Sequence, residues 1–212
     1  MAIIADNNHF RRLGLNLFLK RNEVTHGFEK VYDGYAIKFC SELEQYRSAT
    51  IIGNHTAPTS LRISNILRRQ NNNINVFRVL FSDIIGLRKL QRHLIISPNT
   101  IIVSADISFH SLQELSLNWT ESFNTDAFNH VKFSHNEVTI MKDWAKTINN
   151  NIMKGEPNGE NKKFCYVSNR LKNRFSIFNR NALYKLWSTC NSYNTPKEPI
   201  SNRSTLAKYN KS

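Results

Sequence analysis

Residues 162–180 read KKFCYVSNRLKNRFSIFNR and are the most informative stretch of the chain. Apolar side chains recur there with helical spacing, which places Phe164, Val167 or Ser168, Leu171 and Phe175 on one stripe of an amphipathic helix. The other positions carry only basic or neutral polar side chains, namely Lys162, Lys163, Tyr166, Asn169, Arg170, Asn173 and Arg174. An exposed helix normally mixes acids and bases, because opposite charges four residues apart stabilise it. An acid-free face suits phosphates and base edges, and a basic surface helix without a partner is the plainer alternative.

Composition limits the class of protein. The chain has 212 residues and 40% hydrophobic content, enough for one large domain or two ordinary ones. No run of eighteen apolar residues occurs and the start, MAIIADNN, lacks the features of a signal peptide, so we expect a cytoplasmic protein that does not enter a membrane. Cys40, Cys165 and Cys190 are odd in number and widely spaced, which argues against a disulfide framework or a zinc site. No nucleophile–base pair or phosphate loop is evident, so we expect neither an enzyme nor a bound cofactor or metal.

The net charge of +13 is concentrated in the C-terminal third. From residue 131 onward there are 15 Lys and Arg against 5 Asp and Glu, which leaves +10, whereas the first 130 residues carry only +3. This asymmetry is typical of a nucleic-acid-binding module joined to a near-neutral regulatory module. It would also suit an RNA-binding segment or one that binds anionic membranes.

The first 120 residues alternate short apolar runs with helical patterns. Strands are predicted at 2–5, 30–32, 49–53, 75–82 and 100–104, and helices at 8–20, 35–46, 59–69, 83–93 and 109–122. In the first helix, we expect Phe10, Leu13, Leu17 and Phe18 to face inward. Such alternation predicts an α/β fold with a doubly wound parallel sheet, flavodoxin-like, whose functional side chains follow the carboxyl ends of the strands.

Those strand ends resemble a response-regulator receiver that has lost its chemistry. Asp6-Asn7 stand where a receiver has the acidic pair that holds Mg²⁺, and Asn54 stands where it has the phosphoacceptor aspartate. Ser82 occupies the hydroxyl position after the fourth strand, and Ser104 lies where a lysine is expected. An amide is no nucleophile and one carboxylate holds a hard cation poorly, so the resemblance implies a pseudo-receiver. Another flavodoxin-like domain without receiver ancestry is the alternative.

The C-terminal third resembles the four-helix DNA-binding domain of the LuxR family. Phe133-Ser134 and Glu137 match its opening Leu-Thr-x-x-Glu, in which Ser134 and Glu137 also form a helix-capping box. Eighteen residues separate Ala145 from Lys163, which is the family's spacing to the recognition helix. The positions Phe164, Leu171, Phe175, Ile177, Asn179, Arg180 and Leu183 then follow the family pattern.

The resemblance implies a domain plan and an assignment of residues. It divides the chain into a pseudo-receiver at 1–123, a linker at 124–131, a helix-turn-helix domain at 132–190 and a flexible tail at 191–212. Family position places Cys165, Tyr166 and Asn169 near base edges, and Lys162, Lys163, Arg170 and Arg174 near phosphates, with Asn173 also on the DNA-binding face. The helix at 183–187 takes the position of the family's dimer contact.

Within the family, the chain is most similar to the RcsA-type capsule-synthesis co-regulators, and acid-response regulators of the GadE type share a sequence similar to its FSHNE motif. This implies a transcriptional co-regulator that binds double-stranded DNA without being phosphorylated. Its partner would be a response regulator of the RcsB type, in a heterodimer, or a second copy of itself. The alternative function is an interaction module that modulates a response regulator without reading bases.

One departure from the family pattern concerns the scaffold helix before the recognition helix. Pro157 stands where the family has leucine, within a Pro-Asn-Gly turn signal. Proline ends or breaks a helix there, so we expect a short or irregular scaffold helix and weak DNA binding by the chain alone.

Overall fold

A computed structural model of the full chain describes residues 1–21, 30–37, 42–84, 93–117, 130–151, 161–177 and 179–194. Its centre is a six-stranded sheet with the order β2-β1-β3-β4-β6-β5. The strands are β1 (Ala2–Ile4), β2 (Val31–Asp33), β3 (Ser48–Gly53), β4 (Asn75–Ser82), β5 (His93–Ser97) and β6 (Thr100–Ser104). All neighbours pair in parallel except β5 and β6. The predicted α/β class is therefore confirmed, whereas the sheet, predicted to be parallel throughout, is mixed because β5 is antiparallel.

Strand β5 was not expected from the sequence. A helix was predicted over 83–93, but Asp83 and Ile84 lie in a turn and His93 already begins the antiparallel edge strand. Residues 85–92 of that prediction lie outside the described ranges. The run HLIIS is short, rich in β-branched residues and followed by Pro98-Asn99, a turn pair that joins it to β6 as a hairpin. The signal for a strand was present, but residues 94–97 lie between the predicted helix at 83–93 and the predicted strand at 100–104 and were assigned to neither.

Six α-helices surround the sheet within the described ranges. They are α1 (His9–Arg21), α2 (Ala57–Gln70), α3 (Phe109–Leu117), α4 (His135–Asn151), α5 (Asn161–Arg174) and α6 (Arg180–Asn194). The helix predicted over 35–46 is wrong in its described part, because residues 34–36 form a turn and both Ile37 and Glu42–Gln45 have 3₁₀ conformation. None of the described helices has the length and apolarity that crossing a membrane requires.

One face of the sheet is covered by α1 and α3. Leu15 and Leu19 from α1 and Leu112 from α3 are almost fully buried against strand residues such as Ile101 and Val103. The expectation that Phe10, Leu13 and Leu17 face inward is wrong, since their side chains are 83%, 50% and 52% exposed. Only Phe18 of that group is buried, because the inward face of α1 is built at positions 15, 18 and 19.

The opposite face is shared by α2 and α6. Ile63 and Leu67 of α2 pack over β1 and β3. Leu183 and Leu186 of α6 are fully buried in one cluster with Leu80 of β4 and Ile102 of β6. Helix α6 is therefore packed directly on the far half of the sheet, an arrangement for which the sequence offered no signal.

The segments around the C-terminal helices join them to the sheet edge. The backbone N–H of Val131 donates to the carbonyl of Ile95 in β5 at 2.8 Å, next to an isolated parallel bridge between Ile95 and His130. These two residues close the predicted linker over 124–131, whose earlier part lies outside the described ranges. Helix α6 continues to Asn194, so the tail predicted from residue 191 is helical in its first four positions.

Candidate nucleic-acid interface

Helix α5 has the two faces that the sequence predicted. Phe164, Val167, Ser168, Leu171 and Phe175 are buried. The side chains of Lys162, Lys163, Tyr166, Asn169, Arg170, Asn173 and Arg174 are exposed, and Tyr166 is 69% exposed. This exposed aromatic ring lies between lysines and asparagines, and it suits apolar contact with bases while the cations suit phosphates.

The inner face of α5 is held by aromatic packing. The rings of Trp144 from α4 and Phe164 are stacked, with centroids 4.4 Å apart and planes 13° apart. Tyr184 of α6 meets the same indole edge-on at 5.6 Å. Contacts of this kind contribute about 0.5–1.5 kcal/mol each beyond the area they bury, so three helices fix the orientation of α5.

Glu137 connects the start of α4 to the end of α5. Its carboxylate accepts from the backbone N–H of Ser134 at 2.7 Å, while the Ser134 hydroxyl accepts from the Glu137 N–H at 3.4 Å, which confirms the predicted capping box. The same carboxylate accepts from Arg170 at 2.6 Å and from both terminal nitrogens of Arg174 at 3.1 and 3.2 Å. Arg174 also donates to the carbonyl of Lys132 at 2.7 Å. We call Glu137, Arg170 and Arg174 the Glu137 clamp.

The protonation of Glu137 follows from these contacts. Burial raises the pKa of the carboxyl, but the Ser134 N–H and the guanidinium groups of Arg174 and Arg170 outweigh burial and hold the pKa below its ordinary value of 4.5. Glu137 is only 1% exposed, and both of its carboxylate oxygens accept hydrogen bonds, so it is held as a buried carboxylate. The clamp fixes α5 against α4 through charge, whereas sequence reasoning identified only the cap.

The clamp also changes how the basic residues of α5 are placed. Lys162, Lys163, Tyr166, Asn169 and Asn173 lie on the open part of the helix surface. Arg170 and Arg174, with side chains 53% and 41% exposed, are directed to Glu137. Part of each guanidinium group still reaches solvent. Both arginines can therefore contact phosphate while they stay bound to Glu137.

Cys165 is less open than the other predicted readers of bases. Its side chain is half-buried, and its sulfur lies 3.1 Å from a terminal nitrogen of Arg180. The Arg180 guanidinium also covers the Phe164 ring at 5.6 Å. Arg180 thus joins the edge of the α5 surface from the start of α6.

The end of α5 carries a strained residue. Ser176 has a φ of 52°, the left-handed conformation that glycine normally supplies after a helix. Its N–H donates to the backbone carbonyl of Asn173 at 3.3 Å, and the N–H of Ile177 donates to the backbone carbonyl of Lys172 at 2.8 Å. These two hydrogen bonds form a Schellman cap. The turn into α6 is completed by Asn179, whose side-chain oxygen accepts from the Ala182 N–H at 2.8 Å.

The charge around α5 is almost entirely positive. Among the described residues from 131 to 194, the acidic ones are Glu137, which is in the clamp, and Asp143. The exposed basic side chains there are Lys132, Lys142, Lys146, Lys162, Lys163, Arg170, Arg174, Arg180 and Lys185. Lys185 is paired with Asp83 at 3.0 Å and lies on the side of the sheet. The surplus of positive charge gives this part of the molecule an anion-attracting field.

The residues after the strands that resemble a receiver lie close together, but the Asp6 carboxylate among them already accepts hydrogen bonds from the chain. Asp6 is fully buried and accepts from the backbone N–H groups of Asn8 at 2.8 Å and Asn54 at 2.9 Å. Arg11 approaches the same carboxylate at 3.4 Å. Asn7 is exposed and accepts from the hydroxyl of Tyr35. The Asp6 carboxylate is therefore not free to hold a cation.

The other residues of that pocket lie nearby. Ser82 and Ser104 are register partners on β4 and β6, and each hydroxyl accepts from a backbone N–H two residues onward, at 3.3 Å. Asn54 and Ser82 line two clefts of about 290 and 660 Å³ that are closed on the far side by α6, where Ser188 and Thr189 face them. In the described ranges no group of three or more His, Cys, Asp or Glu side chains is placed to hold a metal ion.

The position of α6 bears on the dimer contact that the family resemblance implies. Leu183 and Leu186 are fully buried and Trp187 is 8% exposed, all within the core shared with the sheet. The apolar side of this helix is therefore occupied inside the chain. The predicted scaffold helix with Pro157 lies largely in residues 152–160, outside the described ranges, apart from residues 149–151 at the end of α4.

Comparison with known proteins identified no relative. No family model, curated protein or solved structure matches the chain.

Proposed function

We propose that the chain is a sequence-specific double-stranded DNA-binding transcriptional co-regulator of the LuxR type, with a pseudo-receiver as its N-terminal unit and a helix-turn-helix domain at its C-terminus. The observation that carries the proposal is the exposed face of α5, on which Lys162, Lys163, Tyr166 and Asn169 stand without an acid. The Glu137 clamp and the Trp144–Phe164 stack support it, because a recognition helix needs a fixed orientation to read bases.

The role of each residue follows from its chemistry. Lys162 and Lys163 would neutralise phosphates, and Asn169 can form a bidentate pair with adenine in the major groove. Tyr166 supplies apolar contact to base edges, such as a thymine methyl group, beside them. Cys165 and the clamped Arg170 and Arg174 are secondary in this scheme, since each already has a partner inside the protein.

Phosphorylation has no part in the proposal. Asn54 replaces an acceptor carboxylate, and Asp6 is engaged by two N–H groups and Arg11. Regulation would therefore come from a protein partner, either an RcsB-type response regulator or a second copy. Because the apolar side of α6 is buried, the partner would contact another surface of the chain in this arrangement.

The experiment begins with selection of a preferred duplex from a random pool by the full-length chain, with and without a purified RcsB-type response regulator. Lys163→Ala should weaken binding to all sequences alike and lower the salt slope by about one. Asn169→Ala should cost roughly 1–3 kcal/mol on the selected site and little on random DNA. In the assay of the chain without the response regulator, Lys20→Ala removes one exposed positive charge from α1, outside the α5 surface, and serves as the matched control.

Three results would count against the proposal. They are a pool without enrichment in either condition, equal effects of Asn169→Ala on selected and random DNA, and an effect of Lys20→Ala as large as that of Lys163→Ala. Enrichment that requires the response regulator supports the heterodimer, and enrichment by the chain alone supports the homodimer.

A second function is favoured by one observation. The exposed apolar side chains of α1 suggest contact with another protein, which an interaction module without base reading would also need. In that case the response regulator would bind the chain, and Asn169→Ala would leave DNA binding by the complex unchanged.

A further inference from the structure

Helix α1 is apolar on two opposite faces. Leu15, Phe18 and Leu19 pack on the sheet, as described above. On the other side, Phe10, Leu13 and Leu17 recur at i, i+3 and i+7 and are 83%, 50% and 52% exposed. We call these three residues the α1 stripe. A helix on the surface of a protein normally has a polar outer face, so a second apolar face indicates a partner.

The surface beside the α1 stripe is shaped rather than flat. A cleft of about 110 Å³ opens along the helix, with walls that include His9, Leu13, Tyr32 and Asp33. Tyr35, 42% exposed, lies at the edge, where its ring is 6.0 Å from the guanidinium of Arg12. A depression of this size accepts a side chain of a protein partner.

The charge of α1 argues against self-association through the stripe. The helix contains Arg11, Arg12, Lys20 and Arg21 and no acidic residue. The guanidinium of Arg11 lies 3.4 Å from the Asp6 carboxylate, and that of Arg12 lies 4.0 Å from the Asp33 carboxylate. The exposed Lys20 has no ion pair with another described residue. Two copies placed stripe to stripe would bring like charges together, which is unfavourable.

We propose that the α1 stripe is the docking surface for a protein partner whose apolar strip is flanked by carboxylates. The apolar strip covers Phe10, Leu13 and Leu17, one of its side chains enters the adjacent cleft, and its acids pair with the basic residues of α1. The proposal specifies the surface by which the co-regulator proposed above would meet its partner, and it rests on that function only in this respect.

The test uses the full-length chain and two labelled helical peptides. Both carry the same leucine stripe, flanked by glutamates in one peptide and by lysines in the other. Fluorescence anisotropy should show binding of the glutamate peptide, with at least about tenfold weaker binding of the lysine peptide. Phe10→Ser and Leu17→Ser should each weaken binding of the glutamate peptide by about tenfold. Tyr166→Ser, which removes an exposed aromatic side chain from α5, is the matched control and should leave peptide binding unchanged.

Folding of the variants is checked by melting temperature. Phe10→Ser removes an exposed side chain and should shift the melting temperature by less than about 2 °C. A fall of many degrees would mean that Phe10 is covered by another part of the chain, which would overturn the proposal.

Other outcomes separate the alternative occupants. Equal binding of both peptides would reject the acidic partner, and binding of neither would reject the docking surface. Sedimentation of the free chain as a dimer that Phe10→Ser converts to a monomer would assign the stripe to a second copy. Phe10-dependent binding to phosphatidylserine vesicles, without peptide binding, would assign it to a membrane.

The same variants distinguish this inference from the proposed function. Phe10→Ser should leave binding of the chain alone to non-specific duplex DNA unchanged, since α1 is not part of the α5 surface. Loss of peptide binding with intact DNA binding supports docking at α1. Absence of any DNA binding by the wild-type chain, together with Phe10-dependent binding of the glutamate peptide, would reject the DNA-binding function and leave the docking surface intact.

Discussion

Replacing Glu137 with glutamine tests whether the clamp holds α5 in place. Glutamine keeps the size of the side chain and an oxygen that can accept from the Ser134 N–H, but it removes the charge that pairs with Arg170 and Arg174. Breaking a buried ion pair from one side costs about 3–5 kcal/mol. Because both arginine side chains are about half exposed and regain water, we expect a loss of about 2 kcal/mol. For a chain of this length, that corresponds to about 4–8 °C in melting temperature.

The loss should depend on pH in a defined direction. The folded-state pKa of Glu137 is lowered, so the clamp stabilises fully above the ordinary value of 4.5 and loses its effect as pH falls through the folded pKa. The difference in free energy of unfolding between wild type and Glu137→Gln should be largest near about pH 7 and should shrink below about pH 4. Urea titration followed by tryptophan fluorescence suits the measurement, because Trp144 and Trp187 lie in the core that the clamp supports.

Glu44→Gln is the matched control, since it makes the same change at an exposed carboxylate away from the clamp. We expect a change within about 0.5 kcal/mol for this control. Equal stability of wild type and Glu137→Gln at neutral pH, or a difference that grows as pH falls, would refute the clamp. A double-mutant cycle with Arg174→Gln should give a coupling energy of about 1–2 kcal/mol, because the two side chains are in direct contact.

Four further outcomes follow from other parts of the structure. Gly53→Ala should lower the free energy of unfolding by about 3 kcal/mol or more, because an added Cβ would lie 2.5 Å from the Ala5 carbonyl oxygen and φ is +139°. Gly34→Ala should lower it less in the same urea titration, because the nearest atom to its Cβ would be 3.0 Å away. Ser176→Gly should stabilise the chain by about 1 kcal/mol by relieving the left-handed φ of 52°, whereas Ser176→Ala should not. Burial and the charge of Arg78 lower the pKa of His55 from 6.5 to about 3. The contribution of His55 to stability should therefore fall by about 1.4 kcal/mol per pH unit as pH falls from about 6.5 to about 3, and His55→Asn should remove that contribution. Incubation with acetyl phosphate and Mg²⁺ should give no acid-labile mass increase, and an adduct that disappears in Asn54→Ala would contradict the assignment of the pocket.

The fold was predictable where the periodicity of apolar residues was clear. The predicted strand at 75–82 has the bounds of β4, the strand at 100–104 has the bounds of β6, and the buried face of α5 was identified in full. Prediction was wrong at α1, where Phe10, Leu13 and Leu17 have the same helical period as the buried residues. Periodicity shows which residues share a face but not which of two apolar faces meets the sheet, and long-range packing settles that choice.

The candidate interface shows the same division between local and long-range information. The acid-free face of α5 and the capping box of α4 could be read from residue types and short spacings, because both depend on contacts within one helix or one turn. Glu137 was identified as a cap, whereas its pairing with Arg170 and Arg174, 33 and 37 residues further along the chain, came only from the structure. The roles of Lys163 and Asn169 toward DNA stay predictions, and the assay above addresses them.

The sequence by itself determined much of the local structure: five of the six strands, the polar and apolar faces of α5, and the capping box of α4. Only the tertiary structure decided that α6 packs on the far half of the sheet with Leu183 and Leu186 fully buried, that Asp6 is used by Asn8, Asn54 and Arg11, and that the α1 stripe remains outside. The physical reason is that the free energy gained by burying apolar surface does not depend on where along the chain the buried residues lie. Any apolar face can meet any other, and the final choice depends on shape complementarity among elements that are far apart in sequence.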